Sequence, residues 1–129
     1  MTKSLTKLGL AAVALGVLGC SVMVRSPAKY RDDTRAVIES NRPAIEACYT
    51  EALKNKKDLT GRVSIMFSVQ PETGKITNTR VDEAQTTAPE QLSQCVVQVV
   101  DGLQLAPPDE KEGQATFFFD FVAQQPAAG

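Results

Sequence analysis

Apolar side chains recur along this chain in two rhythms, separated by turn residues. Ile45, Cys48, Tyr49, Ala52 and Leu53 follow i, i+3, i+4, i+7, i+8, one face of an amphipathic helix. Val37 and Ile38 carry the helical pattern back to about Thr34. Between them Pro43, which has no N–H to donate, predicts a kink or a fresh start, with Asn41 as a cap. From Arg62 to Gln70 the rhythm becomes two: Val63, Ile65, Phe67 and Val69 alternate with more polar neighbours, a half-buried strand. Pro71-Glu72-Thr73-Gly74 predicts a turn, with Gly74 free to take a positive φ. A second strand runs from Lys75 to about Glu83; Ile76 and Val81 fall out of phase, which predicts a bulge or strong twist between them. Thr87-Ala88-Pro89-Glu90 reads as a capping box opening a second helix, whose apolar face is Leu92, Cys95, Val96, Val99, Val100 and Leu103. After a loop of Pro107-Pro108 and Asp109 to Gly113, a third strand spans Gln114 to Val122. Ala115, Phe117, Phe119 and Phe121 point to one face of it, and Thr116, Phe118, Asp120 and Val122 to the other. The order α-β-β-α-β predicts one small α+β domain over residues 34–122. Both helices pack on the single strongly apolar face of a three-stranded antiparallel sheet.

The N-terminal stretch follows a different logic. Lys3 and Lys7 precede an unbroken run of Leu, Ala, Val and Gly from Leu8 to Gly19. As a helix that run measures about 18 Å, too short for a hydrocarbon core of about 30 Å, so it reads as a secretory signal of residues 1–19. It ends in Val17-Leu18-Gly19-Cys20, which looks like a bacterial lipobox: two aliphatic residues, a small residue, then the Cys that is acylated. Removal of the signal takes away Lys3 and Lys7 and leaves the mature chain more acidic than the net −1 of the whole. Acyl chains on Cys20 would hold the mature protein at a membrane, since two or more chains give stable anchoring. Ser21 in place of Asp after the Cys points to an outer-membrane lipoprotein of the cell envelope, facing the periplasm. The polar residues that follow, through Asp33, read as a tether, and residues 123–129 as a flexible tail.

Composition removes whole classes of chemistry. The chain contains no His, which excludes His-based general bases, Ser-His-Asp and Cys-His nucleophiles, and His metal ligands. A near-neutral charge and 5% aromatic residues offer neither the basic field nor the stacking surface that nucleic acid requires. No Gly-rich phosphate cradle and no metal-ligand spacing occurs, so no cofactor and no metal is expected. Carboxylates are the remaining catalytic material. Asp82 and Glu83 are adjacent and face opposite ways in a strand, and Asp109, Glu110 and Glu112 sit in what reads as a solvated loop.

With Cys20 assigned to lipid, Cys48 and Cys95 remain, in an exported chain where a disulfide persists. Both fall on inward helix faces. A bridge between the two helices is expected, with two buried free thiols as the alternative; the spacing is far from that of a redox Cys-x-x-Cys pair.

Several stretches resemble the AgmX/PglI C-terminal domain family, whose fold is similar to the TonB C-terminal domain. They are Ile45-Glu46-Ala47-Cys48-Tyr49-Thr50-Glu51-Ala52-Leu53, Leu59-Thr60-Gly61-Arg62-Val63, Thr73-Gly74-Lys75-Ile76 and Cys95-Val96. The resemblance covers roughly residues 35–122 and implies capture of a partner segment by strand addition at a sheet edge. The expected role is therefore a membrane-anchored interaction module without catalysis. Its expected contact residues are Thr116, Phe118, Asp120 and Val122 on the third strand, and its partner an envelope protein. A purely structural lipoprotein and a carboxylate-based envelope hydrolase are the alternatives.

Overall fold

The computed structural model describes residues 23–123; the signal segment, Cys20 and the tail from 124 onward lie outside the described residues. The elements in chain order are α1 (Pro27–Ser40), α2 (Arg42–Leu53), β1 (Gly61–Val69), β2 (Ile76–Val81), α3 (Glu90–Val100) and β3 (Gly113–Phe121). The strands form one antiparallel sheet in the order β2-β1-β3, so the chain is the expected small α+β domain.

Helix α1 starts seven residues before Thr34, and residues 27–33, expected as tether, are its first turns. The cause is local: Ser26 is an N-cap whose side chain accepts from the Lys29 N–H at 3.2 Å, and Pro27 follows with its φ already set for a helix. At Asn41 the helix stops. Its N–H donates to Ile38 O and its side-chain Nδ2 to Val37 O at 2.9 Å, so Asn41 closes α1 instead of capping α2 with its side chain. Pro43 then sits in the first turn of α2.

The helices lie over one sheet face. Ile38, Ile45, Leu92, Val96 and Val100 meet Val63, Ile65, Phe67, Val69 and Ile76 in a single core. The Cys48–Cys95 disulfide joins α2 to α3 across that layer, with a Cα–Cα distance of 5.7 Å. The irregularity in β2 is a bulge: Met66 pairs with Arg80 and Ser68 with Thr77, so two residues oppose Phe67, and Asn78 takes φ 53°. Gly74 closes the β1–β2 turn with φ 72°, and a Cβ there would stand 2.0 Å from Leu105 O, so no other residue fits.

The expected capping box does not form. Pro89 precedes α3 without a side-chain cap. Thr87 turns instead to β1, its hydroxyl accepting from the Arg62 N–H at 2.9 Å, and Thr86 does the same for Ser64 at 3.0 Å. Beyond the end of β2, these two side chains take over the ladder of the central strand.

Candidate functional site

The two edges of the sheet differ. The outer edge of β2 is covered: Ile76 exchanges backbone hydrogen bonds with Leu103 and Gly102, Leu105 N–H donates to Gly74 O, and the Thr79 hydroxyl donates to Asp101. Nothing among the described residues pairs with the outer edge of β3.

Which groups that edge presents follows from the alternation of the ladder. Arg62 and Ser64 turn both N–H and C=O toward the β2 side, where Asp82, Thr86, Thr87 and Ala88 meet them. The intervening residues Gly61, Val63, Ile65, Phe67 and Val69 therefore turn theirs toward β3, onto Phe121, Phe119, Phe117, Ala115 and Gly113. Gln114, Thr116, Phe118 and Asp120 are left with backbone donors and acceptors pointing away from the sheet. Three of the four expected contact residues, Thr116, Phe118 and Asp120, are thus the residues whose main chain is open. Val122 follows just beyond the strand and is 69% exposed.

On the outer sheet face Phe118 is 58% exposed. The Arg62 guanidinium stacks over its ring at 4.4 Å and holds Asp120 by two hydrogen bonds of 2.7 and 3.1 Å. That donation keeps the Asp120 carboxyl below its ordinary range and the Arg62 guanidinium above its own. Arg62 thus neutralises the only acidic side chain in β3 and lies flat on its neighbour.

On the inner face the helices leave the β3 side of the sheet incompletely covered. Ala115, Phe117 and Phe119 are only half-buried, whereas the inward residues of β1 are fully buried. The space between them and the α1–α2 layer is a groove of ≈ 1240 Å³, open along β3. Phe117 and Phe119 form its floor and Ile38, Tyr49 and Leu53 its wall. Arg31, Arg35 and Arg42 stand on its rim, with the Arg35 guanidinium 5.7 Å from the Phe117 ring. Tyr49 sets the far end: its ring lies 5.0 Å from that of Phe121, and its hydroxyl donates to Leu59 O.

Asp109, expected in a solvated loop, is instead 1% exposed. Its carboxylate accepts the backbone N–H of Arg25 at 2.8 Å and that of Lys111 at 2.9 Å. Arg25, expected in a tether, is itself 6% exposed; its Nε donates to Asp33 and its Nη2 to Pro107 O, each at 2.7 Å. Burial pushes the Asp109 carboxyl up, but the two N–H donors and the Arg25 charge outweigh it and hold the carboxyl below the ordinary value. Asp109 is occupied in this clasp and is not free for proton transfer. The Ser26-Pro27 pair is the sequence signal that the folded body starts this early.

No known family model matches the chain, and comparison with curated proteins and with solved structures returns no match. The likeness to the AgmX/PglI C-terminal domain therefore rests on the motifs quoted above.

Proposed function

We propose that this protein is a lipid-anchored module of the bacterial envelope that captures an extended segment of a partner protein by adding it as a fourth strand to β3. The observation that carries the reading is the open edge of β3 with a groove lined by Phe117 and Phe119 beside it. Main-chain bonds from Gln114, Thr116, Phe118 and Asp120 would hold the segment. Its alternate side chains would fall beside Phe117 and Phe119 in the groove and beside Phe118 on the outer face. Binding of this kind needs no titrating side chain, metal or cofactor.

The test exploits the ladder. The Thr116 N–H points out of the sheet, so Thr116→Pro removes a donor from the open edge without breaking a bond to β1. A photo-crosslinking residue at Phe118 in the full-length protein in its own membranes should give a discrete adduct. Thr116→Pro should lower its yield at least about tenfold, the loss of about 1.4 kcal/mol or more of main-chain pairing, with little change in melting temperature. An adduct unaffected by Thr116→Pro, or one formed equally well from a crosslinker on the exposed face of α3, would overturn strand addition.

A further inference from the structure

The anchored end of the domain has almost no slack. Met23 exchanges two 3.0 Å backbone hydrogen bonds with the 108–110 loop: its N–H donates to Pro108 O, and its own C=O accepts from Glu110. Two residues on, Arg25 is locked by its backbone bond to Asp109 and by a side chain only 1% exposed. Between Met23 and Cys20 stand only Ser21 and Val22, so the two Cα atoms are separated by at most about 11 Å. A body of this size has a radius of gyration of about 13 Å, more than that reach. We propose that the domain rests with its Met23–Val24 end against the lipid surface into which Cys20 is acylated, instead of swinging clear of it on a tether; this rests on the reading of Cys20 as the acylated residue.

Side chains at that end suit the contact. Val24 is one of three large apolar residues exposed among the described residues, at 60%, and it adjoins the anchor; the other two, Phe118 and Val122, lie in β3 and just beyond its end. The contact also sets the direction of β3. Gly113 follows the 108–110 loop closely and lies under the Tyr30 ring, where a Cβ would come within 2.5 Å of it. Val122 is nine residues further along extended chain, about 30 Å away. The Gly113 end of the strand is therefore the one nearer the anchor, and Val122 is the end farther from it.

The chain has no Trp, so a single introduced indole reports its own position. Val24→Trp and Val122→Trp, both at exposed sites, would be made in the full-length acylated protein. Each would be reconstituted in phosphatidylethanolamine–phosphatidylglycerol vesicles with and without lipids brominated near the headgroup. The Val24→Trp variant should lose about half its emission to the bromines, as expected for a side chain at interfacial depth, while the Val122→Trp variant should lose none. A twenty-residue Gly/Ser insertion between Ser21 and Val22 should bring the first variant to the level of the second. Vesicle-bound Val24→Trp protein that is unquenched, or is quenched equally after the insertion, overturns the contact while leaving the anchor in place. Protein that fails to float with the vesicles overturns the anchor and the contact together.

Discussion

Replacing Arg25 by Met tests the clasp that ties the start of the folded chain to the loop before β3. In the native fold the guanidinium is 1% exposed and Asp109 also 1%, with Nη1 3.6 Å from Oδ2. Met fills much of the same volume but leaves the Asp109 carboxylate buried with only the backbone N–H groups of residues 25 and 111. Breaking a buried pair by removing one partner ordinarily costs about 3–5 kcal/mol. Both side chains border the groove, so the low end, about 3 kcal/mol, is the appropriate figure. For a domain of this size that lowers the melting temperature by about 12–24 °C. Two controls isolate the charge. Arg25→Met with Asp109→Asn removes the stranded charge and keeps an oxygen for one of the two N–H donors, which reach different carboxylate oxygens, and should recover part of the loss. In the single variant loss of the Arg25 charge should raise the Asp109 pKa, so the folded variant binds the proton at a higher pH than the folded native protein. The deficit should then shrink as pH falls from 7 toward about 4, the ordinary carboxylate range. Urea unfolding at several pH values reads all three quantities. A cost below about 1 kcal/mol at neutral pH would refute the assignment of Arg25 as the counter-charge, and so would absence of recovery in the double variant.

The remaining predictions concern the fold as a whole. Reducing the Cys48–Cys95 bond, which spans 47 positions, should cost about 4 kcal/mol by loop-closure entropy. A melting temperature unchanged by dithiothreitol, with both thiols shown free by mass, would contradict that. Asp33 and Asp109 both have carboxyls held below their ordinary values, Asp33 chiefly by hydrogen bonds from Arg25 and Lys29. The unfolded chain therefore binds protons first as pH falls. Stability should be level from about pH 8 to 5 and decline below about pH 4, through the folded values. In a chain without His, a loss between pH 8 and 6 on acidification would sink this account.

Elements whose signal is a repeated period were legible in the sequence. The inward residues of β1 are those its alternation marks, and the out-of-phase Ile76 and Val81 mark the bulge at Asn78. The two cysteines on apolar helix faces meet, as their positions imply. Short polar motifs with two possible uses mislead. Thr87 and Glu90 have the spacing of a capping box, yet the Thr87 hydroxyl is taken by the Arg62 N–H, because β2 ends before it can serve that part of β1. Asp109 looks solvated among Glu110, Lys111 and Glu112; only the return of Arg25 from 84 positions away buries it, and no local pattern encodes that. Ser26-Pro27 is a local signal for the start of α1, hidden by the polar character of the surrounding residues. The groove could not be read at all, since it arises from α3 packing on β1 and β2 while side chains of α1 and α2 cover β3 only in part.

The contrast between the two edges bears most directly on what the domain is for. An unpaired strand edge invites association, and folded proteins usually blunt it with bulges, Lys, Pro or a covering segment. This sheet applies such devices on one side only: β2 is short, bulged at Asn78, and covered by residues 102–105. On the other side β3 runs nine residues as Gly-Gln-Ala-Thr-Phe-Phe-Phe-Asp-Phe without a bulge against β1, a Lys or a Pro. Its single acidic residue, the one remaining deterrent, is neutralised by Arg62, which also stacks flat on Phe118. An aromatic, uncharged, regular edge is an aggregation hazard in any chain. That one sequence protects β2 and leaves β3 bare means that protection was within its means. The difference is what the proposed capture of an outside strand requires: one edge closed for stability and the other left open.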